Sequence, residues 1–293
     1  MMQKITSEKV FSVCNIVFML SFVILCMYPF YYMLIYSLSD PGETYKITIL
    51  PVGITLENYK KALNVPGIGR ATIISVLRTV IGTAMTVACC AFFGYLVTKQ
   101  KMVGRKIIYR MLVVTMYVDG GLIPTYLVMS AYGLCDSYLI YILPTALSAY
   151  NVILVKTFME QIPASLEESA MIDGAGTVRC WYSVILPLSK PILATIAVFS
   201  AVVQWNAWFD AHIYITNYNM WPLQYLLYRF LKQVQELAKA MEEASFFNHG
   251  TVVLTPDTVR MTITSIATLP ILFVYPFMQR YFMKGMLLGA VKG

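Results

Sequence analysis

The chain has 293 residues, of which 58% are hydrophobic and 13% charged, with a mean hydropathy of +0.66 and a formal net charge of +7. That balance excludes a soluble domain and places the chain among integral membrane proteins. The basic surplus sits in loops beside apolar runs, so it requires no nucleic-acid partner.

Six runs are each long enough to cross a hydrocarbon core of about 30 Å. They lie at roughly Val10–Tyr36, Ala71–Val97, Ile107–Ser130, Ser137–Val155, Ile192–Ile215 and Val259–Phe282. The pattern predicts an all-α integral membrane protein with six transmembrane helices in one domain, 1–293, without a repeat of 20–50 residues. The first run is too long for a signal peptide and lacks a small-x-small cleavage site, so it reads as a retained span. The segment Pro41 to Pro66 reads as a polar outer loop. Arg78 falls in the outer third of span two, where snorkelling to the interface is the cheaper expectation. In span three, Asp119 is followed by Gly120-Gly121 and Pro124, which predicts a broken or kinked helix. Asp119 there is either a cavity wall or a structural hydrogen-bond partner of a neighbouring span.

Between spans four and five lies a polar segment. Ser165 and Glu168 have the spacing of a capping box just after Pro163, and Gly174 can take the left-handed conformation that ends a helix. A second short helix is expected from a cap at Thr177 until Pro187 stops it. Leu166, Ala170 and Ile172 are expected to pack while Glu167, Glu168 and Asp173 stay solvated. Spacing alone leaves a docking hairpin and a surface hairpin with no partner equally open.

Span five carries Gln204, Trp205, Asn206, Trp208, Asp210 and His212. On a continuous helix Trp205, Trp208 and His212 share one face, and Asn206 and Asp210 stack beside them. Aromatic faces beside amides and a carboxylate suit a sugar, whose C–H patches stack and whose hydroxyls need partners. The competing reading puts Trp208 and Trp221 in an interfacial aromatic belt. Leu223–Lys239 reads as an amphipathic helix at the membrane surface, meeting lipid or an external protein. In span six, Thr262, Thr264, Ser265 and Thr268 precede Pro270 and can satisfy carbonyls freed at a kink.

With the N-terminus in the cytosol, thirteen basic residues fall in inner segments, among them Lys99, Lys101, Arg105, Lys106 and Arg110, against seven in outer ones. The asymmetry predicts both termini and the Glu168 loop in the cytosol. The six cysteines form no Cys-x-x-Cys pair, and His212 and His249 are too scattered for a metal site. No residue set suggests catalysis except Asp119 and Asp210, which an intramembrane aspartyl protease would need to share a proton; their flanks lack that family's signatures. A secondary transporter would show paired broken helices in inverted halves, which the sequence does not.

The order Glu168-Ser169-Ala170, Gly174 after three residues, then Val184-Ile185-Leu186-Pro187 after nine more resembles the cytoplasmic-loop motif of bacterial ABC-importer permeases, the MetI-like membrane subunits. Ser169 stands where the motif has Ala, and Val184 where it has Ile. The stretches Phe158–Leu193, Gln204–Phe209 and Gly285–Gly293 are similar to the carbohydrate, maltose-type branch, so the resemblance covers the chain from about residue 70. It implies a MetI-like permease core at about 71–283, with 158–190 as the coupling loop. Glu167, Glu168, Ser169, Ala170, Asp173, Gly174, Leu186 and Pro187 would couple to an ATPase. Asp119, Gln204, Trp205, Asn206, Trp208 and Asp210 would line the pathway, although in the maltose-type pair the sugar site can lie mostly in the other permease. The implied partners are a second homologous permease, two cytosolic ATP-binding subunits, an extracellular or periplasmic sugar-binding protein and an oligosaccharide, at a bacterial cytoplasmic membrane. The chain has no Gly-x-x-x-x-Gly-Lys-Ser/Thr loop, so ATP and Mg would be bound by the partner ATPase and this chain would need no cofactor. The tail, with Gly289 and Gly293, would reach the ATPase subunits.

Overall fold

A computed structural model describes residues 2–40, 49–100, 102–245, 261–270 and 272, and all regular structure among them is helical. The tail from 273, most of predicted span six and part of the outer loop lie outside the described residues. The chain divides into two bodies, Met1–Pro66 with Arg229–Leu269, and Gly67–Tyr228 with Pro270–Gly293.

In the first body, α1 (Met2–Leu38) is one 37-residue helix with Pro29 inside it. Its apolar side chains stay exposed from Val10 to Tyr31, as suits a helix surrounded by lipid. Its end is tied to α2 (Glu57–Leu63): Asn58 Nδ2 donates to the Ser37 and Ser39 carbonyls at 3.0 and 2.8 Å. Residues 261–269 of the helix Met261–Pro270 also belong here. Within it Ser265 and Thr268 donate to the carbonyls of Met261 and Thr264, as expected of hydroxyls before a proline.

The second body is organised on α3 (Ile68–Thr98), a 31-residue helix without proline. Thr72, Thr79 and Thr86 turn their hydroxyls back onto carbonyls four residues earlier, so these polar side chains sit in an apolar helix without unmet donors. Helices α6 (Ala149–Met159) and α10 (Lys190–Asn206) pack along α3. Cys90, Tyr95, Val152, Val155, Met159, Ile185 and Ile196 form the core between them.

Predicted spans three to five are each built of pieces. Span three is α4 (Arg105–Val114) and α5 (Leu122–Ala131), interrupted at Asp119-Gly120-Gly121, where Gly121 has φ +80°. Span four begins as a 3-10 turn, Tyr138–Tyr141, and becomes α-helical only at Ala149, after Pro144. Span five stops at Asn206 because Ala207 is extended, and restarts as α11 (Phe209–Tyr214). Among the described residues two helices are long and apolar enough to cross a membrane, or three if a bent pair joined at Ser189 counts as one.

Candidate functional site

The polar loop folds as a hairpin. Helix α7 (Ala164–Ile172) is followed by α8 (Thr177–Cys180), a π-helical turn Trp181–Ile185 and α9 (Leu186–Leu188). Gly174 has φ +82°; its N–H donates to Met171 O at 3.0 Å and that of Ala175 to Ala170 O at 2.9 Å, the paired bonds of a left-handed helix stop.

Three local expectations fail. The capping box does not form, because α7 starts at Ala164 on the Pro163 carbonyl and Ser165 is already inside the helix, with no side-chain cap. Thr177 is the first residue of α8 rather than its cap, which is Gly176. Pro187 does not end the second helix: the wider π turn before it accommodates a residue without an N–H, and the chain bends by 79° only at Ser189.

Side-chain directions also differ from the simple amphipathic reading. Ile172 is 86% exposed beside exposed Met171 and Val178, and Glu168 and Asp173 are exposed among them. Glu167 turns inward instead. Its carboxylate takes both oxygens to Lys99 Nζ and accepts the Tyr95 hydroxyl at 2.6 Å. Tyr95 Oη also lies 3.2 Å from Thr177 O, so one hydroxyl at the end of α3 touches both arms of the hairpin. Partial burial pushes the Glu167 carboxyl up, but the Lys99 and Tyr95 bonds outweigh it and hold its pKa below the ordinary value.

A second polar cluster lies further along α3. Arg78 is fully buried and does not snorkel. Its Nε and Nη2 donate to Gln204 Oε1 at 3.3 and 3.2 Å, and its Nη1 to Ala207 O at 3.1 Å. Asp210 receives Nη1 at 3.2 Å and Nη2 at 2.5 Å, and the guanidinium lies 4.3 Å from the Tyr141 ring centroid. All five donors are therefore used, which is what a buried guanidinium requires. Gln204 spends its amide on Tyr141 O at 3.2 Å and Thr145 Oγ1 at 2.7 Å. It reaches them across Gly82, where an added Cβ would lie 2.4 Å from Gln204 Nε2.

The break in span five undoes the single face expected for Trp205, Trp208 and His212. Trp208 and His212 remain neighbours with ring centroids 6.2 Å apart, but Trp208 stacks on Tyr228 at 4.1 Å and caps α11 rather than continuing α10. Trp205 is half-buried on α10. Asn206 is exposed and donates to Val202 O, whereas Asp210 is committed to Arg78. Asp119 is exposed and accepts from its own Gly121 N–H at 3.2 Å. The two aspartates hold different partners, unlike a proton-sharing dyad.

Apart from Gln204, sequence reasoning passed over the polar groups that line a groove. A cavity of about 870 Å³ runs along α6 and α10, bordered by Thr86, Thr145, Ser148, Tyr150, Asn151, Phe199, Ser200, Val203 and Gln204. Asn151 and Ser200 are each 7% exposed, and their side chains have no hydrogen-bond partner among the described residues. Their separation by 49 residues hides them from any local pattern; the only sequence signal is a lone amide in an apolar run.

No protein-family profile matches the chain. It is 37% identical over 279 residues to the polygalacturonan/rhamnogalacturonan transport system permease protein YtcP of Bacillus subtilis (strain 168), covering 94% of this chain and 96% of that one. It is 38% identical over 297 residues to Protein LplC of the same organism, covering 100% and 98%. Among solved structures, a chain of a bacterial ABC transporter involved in the import of the acidic polysaccharide alginate superposes with a TM-score of 0.83 at 28% identity, covering 94% and 98%.

Proposed function

The chain belongs to the permease subunits of bacterial ABC importers for carbohydrates, and on that premise we propose that it forms half of an oligosaccharide pathway and takes its drive from a cytosolic ATPase through the α7–α8 hairpin. The observation that carries this reading is the hairpin tip. Ile172, Met171 and Val178 stay exposed beside Glu168 and Asp173, with Gly174 turning the chain between the arms. Apolar side chains on a polar cytosolic loop are costly unless a partner covers them. Six spans in the membrane, both termini inside, a second homologous permease, two ATP-binding subunits and an external sugar-binding protein complete the assembly.

The groove supplies the carbohydrate side of the proposal. Asn151 and Ser200 offer an amide and a hydroxyl to sugar hydroxyls, and exposed Tyr150 borders the groove with an aromatic face for C–H patches. Of the pathway residues named from sequence, Gln204 borders this groove and Asn206 remains exposed; Asp210 serves by holding Arg78.

The test is a photo-crosslinker on Ile172→Cys in native membranes. The expected adduct is a protein containing the Gly-x-x-x-x-Gly-Lys nucleotide loop. A tip that labels only lipid or this chain itself would remove the docking assignment.

A further inference from the structure

Two polar clusters tie separate points of α3 to other elements. Tyr95 and Lys99 grip the hairpin through Glu167 and Thr177, and Arg78 grips the interrupted helix through Gln204, Ala207 and Asp210. Tyr95 and Arg78 are 17 residues apart on one helix, about 25 Å at 1.5 Å per residue. The intervening helix has no proline and is packed by α6 and α10.

The covalent route from hairpin to groove is the softer one. It passes through the π turn Trp181–Ile185 and the 79° bend at Ser189, two places where a displacement can be absorbed before it reaches α10. The α3 route has no such joint. Its attachment to the hairpin is held by the charge-assisted Glu167–Lys99 pair, whose side chains are only 16% and 22% exposed, and by the Tyr95 hydroxyl, with the same Lys99 ammonium set 4.1 Å from the Tyr95 ring at the end of α3. Its other attachment holds the carbonyl of Ala207 at the break itself.

We infer that α3 is the rod by which movement of the docked hairpin reaches the break between α10 and α11, with Glu167, Lys99 and Tyr95 as positioning residues at one end and Arg78 at the other. The inference rests on the reading that the hairpin docks an ATPase. It assigns Glu167 an internal role and leaves the partner contact to Glu168, Asp173 and the apolar tip. Tyr95 is the pivot, because its single proton is offered to both arms.

The experiment uses the complete importer in membranes, with Cys14, Cys26, Cys89 and Cys135 replaced by serine and Asn206→Cys introduced at the break. Labelling by a membrane-impermeant maleimide is compared without nucleotide and with ATP plus vanadate. The parent should change its labelling rate between the two states. Glu167→Gln should reduce that ratio by about tenfold, the size of an ordinary coupling between sites. The exchange Lys99→Glu with Glu167→Lys should restore most of it. Tyr95→Phe, which removes one hydroxyl and no charge, should give an intermediate loss and serves if Glu167→Gln does not assemble. The inference is overturned if labelling at 206 ignores nucleotide in the parent, if Glu167→Gln or Tyr95→Phe keeps the full response, or if the exchange restores nothing. When Gly174→Asp abolishes the response and Glu167→Gln retains it, docking stands and the rod fails. When Gly174→Asp also retains it, both fail.

Discussion

Arg78 and Asp210, 132 residues apart in the chain, meet at 2.5 Å with the arginine fully buried and the aspartate 22% exposed. The pair joins α3 to the start of α11, and the same guanidinium holds the Ala207 carbonyl that a continuous helix would have used itself. Removing one member strands the other. Asp210→Asn should therefore cost about 3–5 kcal/mol, as an uncompensated buried charge does. Thermal unfolding of the purified complex in detergent should show the drop, and Arg78→Gln together with Asp210→Asn should recover part of it. A single variant as stable as the parent would show that the pair is not what holds the break.

Gly174 should be sensitive to a partner rather than to its own chain. Beyond its own chain neighbours, no atom of the described residues lies within 4 Å of where its Cβ would stand. A side chain there costs only the left-handed backbone, about 1–2 kcal/mol. Gly174→Ala should thus lower transport mildly, and Gly174→Asp should abolish sugar uptake while the complex still reaches the membrane. Normal uptake by the aspartate variant contradicts docking at this turn.

Asn151 and Ser200 should affect transport without affecting folding. Neither side chain has a protein partner to lose among the described residues, so alanine at either position leaves no orphaned group. Each neutral hydrogen bond to a sugar hydroxyl is worth about 0.5–1.5 kcal/mol, or roughly 2- to 12-fold in apparent affinity. Gln204→Ala is the contrast, because it abandons Arg78, Thr145 and the Tyr141 carbonyl and should lower stability as well. If Asn151→Ala destabilises as much as Gln204→Ala, its amide has a structural role.

Asp136 should make the loop beside span four acid-sensitive. It sits at φ +52° and accepts from Thr216 Oγ1 at 2.5 Å, Asn217 N at 2.9 Å and Thr216 N at 2.7 Å. Led by the Thr216 hydroxyl, these bonds hold its carboxyl below the ordinary value of 3.8. A depressed folded pKa means the stabilisation is fully present above the unfolded value and is lost as pH falls through the folded one. Asp136→Asn tolerates the left-handed backbone but cannot titrate. Its melting temperature should trail the parent's at neutral pH, and the gap should close as pH falls below 3.8. A gap independent of pH assigns the difference to geometry alone.

Features set by neighbours a few residues away were legible in the sequence. Gly174 ends α7 because a glycine there permits the left-handed turn, Asp119-Gly120-Gly121 interrupts span three, and the apolar spacing from Leu223 produces the helix Leu223–Ser245. Membrane class follows from composition for the same reason, since lipid exposure is a property of each side chain. Local signals misled where a stronger neighbour intervened: Pro163 starts α7 a residue before Ser165 can cap it, and the π turn carries the chain past Pro187. The remaining features needed tertiary structure. Arg78 has the same sequence context whether it snorkels or is buried, and its partners lie 126 to 132 residues away. Glu167 and Glu168 are adjacent acids on one helix, and only Lys99 and Tyr95, 68 and 72 residues distant, draw the first inward and leave the second for solvent or a partner. The break at Ala207 has no glycine or proline to announce it; a carbonyl can leave the helix there because a buried guanidinium from α3 is placed to receive it.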